Sequence, residues 1–492
     1  MPNKPQDYYD LLNIPRSATQ DEIRRAYLFA AKQLHPDKNT APGETELFLE
    51  VHQAYQVLGN PERRSAYDDT LPPEKTASPV FWHKLLFSRH KLNHLSEKQL
   101  AYLLLEIVPT EDIRKHTNST PINVCLVLDT STSMKGEKLD MVAQTSIQLI
   151  NSLREQDFFS VVTFNDRAKV IIPATRNKDP HAMASAIQHI QTSGGTEILK
   201  GLQLGLQEVN RYSHSQFINH IILLTDGRTY GDEQSCYDLA KEAARQNVTI
   251  SGLGIGNGWN DIFLDHLTSL TGGCCMMVSL PRDIEEFLKN KFFHLSRIVA
   301  PNITLSFDAI DGVEISYIFR IQPESGPIIC ENKMRLGSLF FDTALKVLIE
   351  FTIHPQKNET GSIELAKGRL GISTTGFTLQ EKPIPINIHM PIIPNANDEI
   401  APQEIIQALS VLSLYRLQEK ARDEVANGEY RNATQHLQQL ATHLLAQGED
   451  TLAQNILFEK HNIEQHQAYS KDGEKQIKYG TRALFFPLEK AS

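Results

Sequence analysis

Cysteine is scarce. The 492 residues contain five, at Cys125, Cys236, Cys274, Cys275 and Cys330, an odd number with no Cys-x-x-Cys pair. That count and spacing argue against a disulfide framework and against a thiolate zinc site. Most of the five lie in apolar, strand-like runs and are expected as reduced core thiols. Long apolar runs are also missing. Val124 to Leu128 and Ile221 to Leu224 fall far short of the roughly 18 residues that cross a bilayer, so no membrane span is expected. The opening Met1 to Tyr9 has no apolar secretory core, and no lipidation box follows Phe486, which makes the expected compartment cytoplasmic. Positive charge is not in excess either: 49 basic against 59 acidic residues leave a net charge of −10. A protein devoted to nucleic acid is therefore not expected.

Several catalytic signatures are absent. There is no Gly-x-Ser-x-Gly elbow and no phosphate-binding P-loop pattern. Gly252, Gly254, Gly256 and Gly258 alternate strictly, so they do not spell Gly-x-Gly-x-x-Gly and are read as a loop that closes a strand. His436 with His443, and His461 with His466, are not spaced by one helical turn as ligands on one helix face would be, and these histidines are read as surface residues. What remains is ordinary globular composition, 40% apolar and 22% charged, in a length that predicts about three domains.

The first of these ends where Leu71-Pro72-Pro73 breaks a helical pattern. Ile23, Tyr27, Ala30 and Leu34 recur on one helix face, with Arg24, Arg25 and Lys32 toward the other. The helix stops before His35-Pro36-Asp37, where Pro36 biases His35 out of helical geometry and makes a rigid turn. A second helix is expected from Glu44 to Leu58. These residues, with Tyr8-Tyr9-Asp10-Leu11-Leu12, Ala54-Tyr55-Gln56-Val57-Leu58, Asn60-Pro61-Glu62-Arg63-Arg64 and Tyr67-Asp68, resemble the J domain of DnaJ-type co-chaperones in order and spacing. The resemblance implies docking on a DnaK-type chaperone and stimulation of its ATP hydrolysis. His35, Pro36, Asp37, Arg24, Arg25 and Lys32 are then the chaperone-binding residues. Leu28 and Phe29 depart from the family, which usually carries further basic side chains there. The zinc repeats and Gly-Phe-rich linker of full-length DnaJ-type proteins are also missing, so client handling must reside elsewhere.

Residues 120–295 alternate short apolar strands (Val124 to Leu128, Phe158 to Phe164, His220 to Thr225, Val248 to Ile255, Cys274 to Val278) with helical segments. This alternation predicts a doubly wound parallel sheet, in which ligands gather at the carboxyl ends of the strands. Asp129-Thr130-Ser131-Thr132-Ser133 follows the first strand and can aim a carboxylate and two hydroxyls at one point. Gly194-Gly195-Thr196 offers another hydroxyl, Asp226 ends the strand Ile221 to Thr225, and all three are expected to meet at one sheet edge. An oxygen-only set with few carboxylates suits a small hard cation such as Mg²⁺. The pattern Asp-x-Ser-x-Ser, then Thr, then Thr-Asp-Gly resembles the von Willebrand factor A domain with its metal-ion-dependent adhesion site. The resemblance makes Asp129, Ser131, Ser133, Thr196 and Asp226 ligands of Mg²⁺ or Mn²⁺, directly or through water. It also implies that an acidic side chain of a protein partner completes the shell. No His or Glu in these motifs is placed as a general base, so a non-enzymatic protein is expected.

Residues 300–395 carry period-two strands, Ile303 to Phe307, Val313 to Ile321, Ala344 to Ile353 and Ser362 to Ile372, the mark of a β-sandwich. Leu103 to Val108 is equally strand-like and is expected to pair with that sandwich, with the α/β domain inserted between its strands. From Pro402 onward helical spacing of Ile405, Ile406, Leu409, Leu412 and Leu417 predicts three helices, the first apolar on more than one face and therefore expected to pack against its own chain rather than a second copy, and Tyr479 to Arg482 are read as a polar, solvated end. The expected layout is thus a J domain at 1–72, linker and sandwich strand at 73–119, A domain at 120–297, β-sandwich at 298–396, helical segment at 397–472 and tail at 473–492. The expected function is a co-chaperone that recruits a DnaK-type ATPase while its metal site grips a client. The rival expectation is a metal-dependent signalling or assembly scaffold with a vestigial J domain.

Overall fold

Apolar residues one helical turn apart drive the N-terminal unit together. In the computed structural model, which describes residues 8–12, 18, 20–34, 44–68, 81–94, 96–110, 120–176, 179–213, 217–229, 231–278, 281–308, 310–355, 361–373, 383–394 and 400–484, helices Tyr8–Leu11, Gln20–Leu34, Glu44–Leu58 and Pro61–Asp68 form a unit of their own. Its core is Tyr9, Leu12, Ala18, Ile23, Val51, Ala54 and Leu58. Tyr67 closes it by accepting a hydrogen bond from the Tyr8 N–H and stacking on the Tyr8 ring. Helix Glu44–Leu58 has the expected bounds. The turn His35-Pro36-Asp37 lies outside the described residues.

The second unit starts a sandwich, leaves it, and returns. Strands β1 (Phe81–Phe87), β2 (Leu92–Asn93) and β3 (Gln99–Pro109) come first. The chain then builds an α/β domain on β4 (Ile122–Asp129), β5 (Phe158–Phe164), β6 (Ala168–Thr175), β7 (Ile218–Thr225), β8 (Val248–Ile255) and β9 (Cys275–Val278). It returns through helix Pro281–Leu295 to β10 (Ile298–Phe307), β11 (Val313–Gln322), β12 (Gly326–Pro327), β13 (Met334–Phe340), β14 (Leu345–Ile353), β15 (Gly361–Ser373) and β16 (Ile384–Ile393). One sandwich sheet runs β1-β3-β14-β11-β12 and the other β13-β10-β15-β16-β2. Leu103 pairs with Ile349 and Leu105 with Val347, so β3 joins the sandwich beside β14 as the sequence predicts, and its other neighbour is β1, which the sequence did not announce. Ile107, Ile303, Leu336, Val347, Ile349 and Leu370, all fully buried, fill the space between the sheets.

The α/β sheet runs β6-β5-β4-β7-β8-β9. Every residue of β4, β5 and β7 is buried, as strands covered by helices on both faces require. The sheet is not wholly parallel: β6 runs antiparallel to β5 at one edge. Its half-exposed sequence, Ala-Lys-Val-Ile-Ile-Pro-Ala-Thr, lacks the continuous apolar run of an interior strand. The glycines of the alternating run divide, with Gly252 and Gly254 inside β8 and Gly256 and Gly258 beyond it. A β-carbon at Gly254 would come within 1.9 Å of the Trp259 ring, so this glycine makes room for a buried indole.

The C-terminal segment holds four helices, Gln403–Ala426, Tyr430–Ala446, Asp450–His466 and Gly473–Ala483, where the sequence predicted three and a solvated end. Helix Gln403–Ala426 lays Ile405, Ala408, Val411, Leu412 and Tyr415 on Leu104, Phe319, Ile321 and Leu348 of the sandwich. Helix Gly473–Ala483 buries Ile477, Lys478, Tyr479 and Thr481. Its cations explain the misreading. Lys478 donates to Asp261 Oδ2 at 2.6 Å and Arg482 to both Asp265 oxygens at 2.7 and 3.0 Å, so the polar face is paired with the α/β domain. Two further expectations fail locally. Cys330 is exposed rather than in a core, while Cys236 is a buried free thiol as expected, though on a helix. His436 is partly buried, with its Nδ1 2.7 Å from Glu424 Oε2.

Candidate metal centre

The carboxyl ends of β4 and β7, adjacent interior strands, carry Asp129 and Asp226 to one edge of the sheet. Both are buried, at 0% and 3% exposure, and so is Ser131. Asp129 Oδ1 accepts the Ser131 N–H at 2.8 Å and Oδ2 the Thr225 hydroxyl at 2.5 Å, which fixes the carboxylate in the turn. The Ser131 and Ser133 hydroxyl oxygens are 3.1 Å apart, and Ser133 donates to Asp226 Oδ1 at 2.6 Å. Asp226 Oδ2 accepts a 2.5 Å bond from Lys138 Nζ. Four of the five sequence-predicted ligands therefore form one hydrogen-bonded cluster.

Thr196 reaches the same place by a stitched loop. The Ser193 N–H donates to Thr130 O at 2.8 Å, and the N–H and hydroxyl of Thr132 both donate to Gly194 O. Gly194 has φ +71, and a β-carbon there would stand 2.2 Å from Asp166 Oδ2, so only glycine fits. The Thr196 hydroxyl borders Gly227, next to Asp226, where an added β-carbon would come within 2.7 Å of it.

Two buried carboxylates this close are costly without a cation. Burial pushes the Asp129 carboxyl above its usual range and Asp226 adds to the rise, against hydrogen bonds from Ser131 and Thr225 that lower it. The donor set of two carboxylates and three hydroxyls is all oxygen and fits a small divalent ion. Asp226 already draws a cation, the Lys138 ammonium. Three contributors escaped sequence reasoning: Thr225, which sat unread in the Thr-Asp-Gly motif; Lys138, in the first turn of helix Glu137–Ser152; and Lys475. The last donates from the C-terminal helix to the carbonyls of Asn257 and Trp259 at 2.7 and 2.5 Å. It thereby braces the loop that holds Gly258 against the Asp226 backbone and receives Arg228 Nε on Gly258 O.

Family models match this chain in three places: a DnaJ domain at residues 7–68, a von Willebrand factor type A domain at 123–290 and a Sll0103-like, C-terminal alpha-helical domain at 403–487. The chain carries a J domain and a von Willebrand factor A domain. The uncharacterized protein sll0103 of Synechocystis is 28% identical over 339 residues, which cover 66% of this chain and 79% of that protein. Chaperone protein DnaJ of Dictyoglomus thermophilum is 50% identical over 68 residues, spanning 14% of this chain and only 17% of the chaperone. Among solved structures, a von Willebrand factor type A protein from Catenulispora acidiphila superimposes with a TM-score of 0.65 over 82% of this chain and 96% of its own, at 16% identity, a likeness of fold.

In the J domain, Arg24 and Arg25 are exposed on helix Gln20–Leu34. Leu28, one turn on from Arg24, is 56% exposed and puts an apolar side chain on the same face. Lys32 lies on this helix, with its side chain outside the described residues. The A domain presents Ser133 and Thr196 toward the surface while its two aspartates lie beneath. No helix among the described residues is long and apolar enough to cross a membrane.

Proposed function

We propose that this chain is a cytoplasmic co-chaperone whose J domain recruits and stimulates a DnaK-type ATPase, while its A domain binds a protein client or complex through a divalent cation. The observation that carries the second half is the cluster at the ends of β4 and β7. Asp129, Ser131, Ser133, Thr196 and Asp226 would hold Mg²⁺ or Mn²⁺, which when bound supplies an open coordination position for a partner's acidic side chain. Asp129 and Asp226 anchor the positive charge from below, and Ser133 and Thr196 face the partner. Each carboxylate accepts one hydrogen bond on each oxygen, which fixes its orientation for holding an ion, and no His or Glu stands in these motifs as a general base. That supports binding over catalysis and leaves ATP hydrolysis to the recruited chaperone.

The 50% identity of residues in the J region to a chaperone named DnaJ supports the first half. The exposed Leu28 favours the second reading, a metal-dependent scaffold whose J domain no longer activates an ATPase. Co-precipitation from native lysate with wild type, wild type plus chelator, and Asp129→Ala tests the metal-dependent grip. Partners retained by wild type alone are expected. Identical partner sets in all three would move client binding to the sandwich or the helical segment.

A further inference from the structure

Lys138 stands in an electrostatically poor place. It is the second residue of helix Glu137–Ser152, where the positive end of the helix dipole disfavours cations. Its ammonium nevertheless lies 2.5 Å from Asp226 Oδ2 and 3.5 Å from the Ser133 carbonyl, at the mouth of the cluster. The carboxylate it covers is 1% exposed, while the Lys138 side chain is 35% exposed and has solvent to swing into. Asp226 thus has its two oxygens shared between Ser133 and Lys138.

On the reading that these residues form a divalent-metal site, we infer that Lys138 is a built-in counter-ion that occupies the Asp226 carboxylate in the metal-free protein and is displaced when the metal enters. A cation held by Asp226, Ser133 and Thr196 would meet the ammonium at ion-pair distance, and two positive charges so close repel strongly in a buried setting. Exchange resolves the conflict. The ammonium spares the buried carboxylate the cost of standing unpaired while the site is empty of metal, and the metal takes over that role. Lys138 is therefore a positioning residue that sets metal affinity and keeps the empty site folded.

The test uses Mn²⁺ alone as the probe, with calorimetry on wild type and Lys138→Met, which keeps the apolar stem and removes the charge. The variant is expected to bind Mn²⁺ about tenfold more tightly; equal or weaker binding by a folded variant overturns the inference. A second measurement needs only wild type: acylation of lysine amines read by peptide mass spectrometry with and without Mn²⁺. Lys138 is expected to become several-fold more reactive on metal addition while exposed Lys135 stays constant. Unchanged Lys138 reactivity in metal-bound protein overturns the inference while sparing the metal site. No Mn²⁺ binding by wild type, with binding gained in Lys138→Met, supports the counter-ion role in its strongest form. No binding by either protein overturns both the inference and the metal-site reading.

Discussion

Thr225 illustrates how much of the site rests on a single hydroxyl. It donates to Asp129 Oδ2 and accepts the Gly227 N–H, tying both acidic turns together. Thr225→Val keeps the shape and removes both bonds, and the loss of such an outer-shell partner typically costs about 10- to 100-fold in metal affinity. Mn²⁺ calorimetry should show a loss of that size with little change in fold, and an unchanged affinity would mean that Asp129 needs no orienting partner. That Asp129 and Asp226 meet was legible because a motif places them on strand ends. Thr225 and Lys138 were not, because a hydroxyl and an ammonium acquire roles only through neighbours distant in sequence.

A second residue-scale prediction concerns acid. Glu324 is buried against Lys291 at 2.6 Å. Burial alone would raise its carboxyl, yet the Lys291 and Arg320 charges outweigh that and hold it down to about 2. The folded value lies below the unfolded one, so the pair's stabilisation is fully present above the ordinary value of 4.5 and is lost as pH falls from there toward 2. The displacement corresponds to on the order of 3 kcal/mol. Glu324→Gln strands the Lys291 ammonium, so the variant should lose about 3 to 5 kcal/mol near neutrality. Its urea midpoint should then depend less on pH between 4.5 and 2 than that of wild type, and parallel profiles would contradict the pairing.

At the scale of elements, the helix Gly473–Ala483 carries the clearest lesson. Its sequence is rich in Lys, Glu, Gln and Arg, and taken alone such a segment reads as solvated. The structure pairs those charges with Asp261 and Asp265 on helix Asp261–Ser269 and stacks Arg482 over Tyr415 and Tyr479. Burial alone would raise both aspartyl carboxyls, but Lys478 with Arg422 at Asp261, and Arg482 with Lys478 at Asp265, hold both below the usual range. Polarity here is complementarity with a distant helix, which periodicity cannot reveal. Arg482→Ala leaves Asp265 with one cationic partner, Lys478, in place of two and should cost about 3 to 5 kcal/mol, measured by urea unfolding. A loss below about 1 kcal/mol would mark the contact as superficial. The interior strands β4, β5, β7 and β8 were legible for the opposite reason, since a strand buried on both faces carries a run of mostly apolar residues. Edge strand β6 and sandwich strands β1 and β16 were not, because half-exposed strands mix polar and apolar residues without a clean run, and β13 was not because Arg335, Gly337 and Ser338 interrupt its apolar residues.

Across the whole molecule, the A domain is threaded between β3 and β10, so both of its ends are anchored in one sandwich, and the C-terminal helices grip sandwich and A domain together. The J domain is a separate unit. Its fold was legible from matched blocks of residues. If the two functions reside in separate units, they should separate by mutation. Asp129→Ala should abolish metal-dependent partner capture and leave chaperone stimulation in the absence of client intact, provided ATP retains its own Mg²⁺.

The most direct test of a co-chaperone is single-turnover ATP hydrolysis by a cognate DnaK-type chaperone, measured with the wild-type chain, His35→Gln and Asp129→Ala. Stimulation by wild type and by Asp129→Ala, with none by a folded His35→Gln, is the predicted result. Equal rates with wild type, with His35→Gln and with no added protein would contradict it and leave the metal-dependent scaffold as the function of this chain.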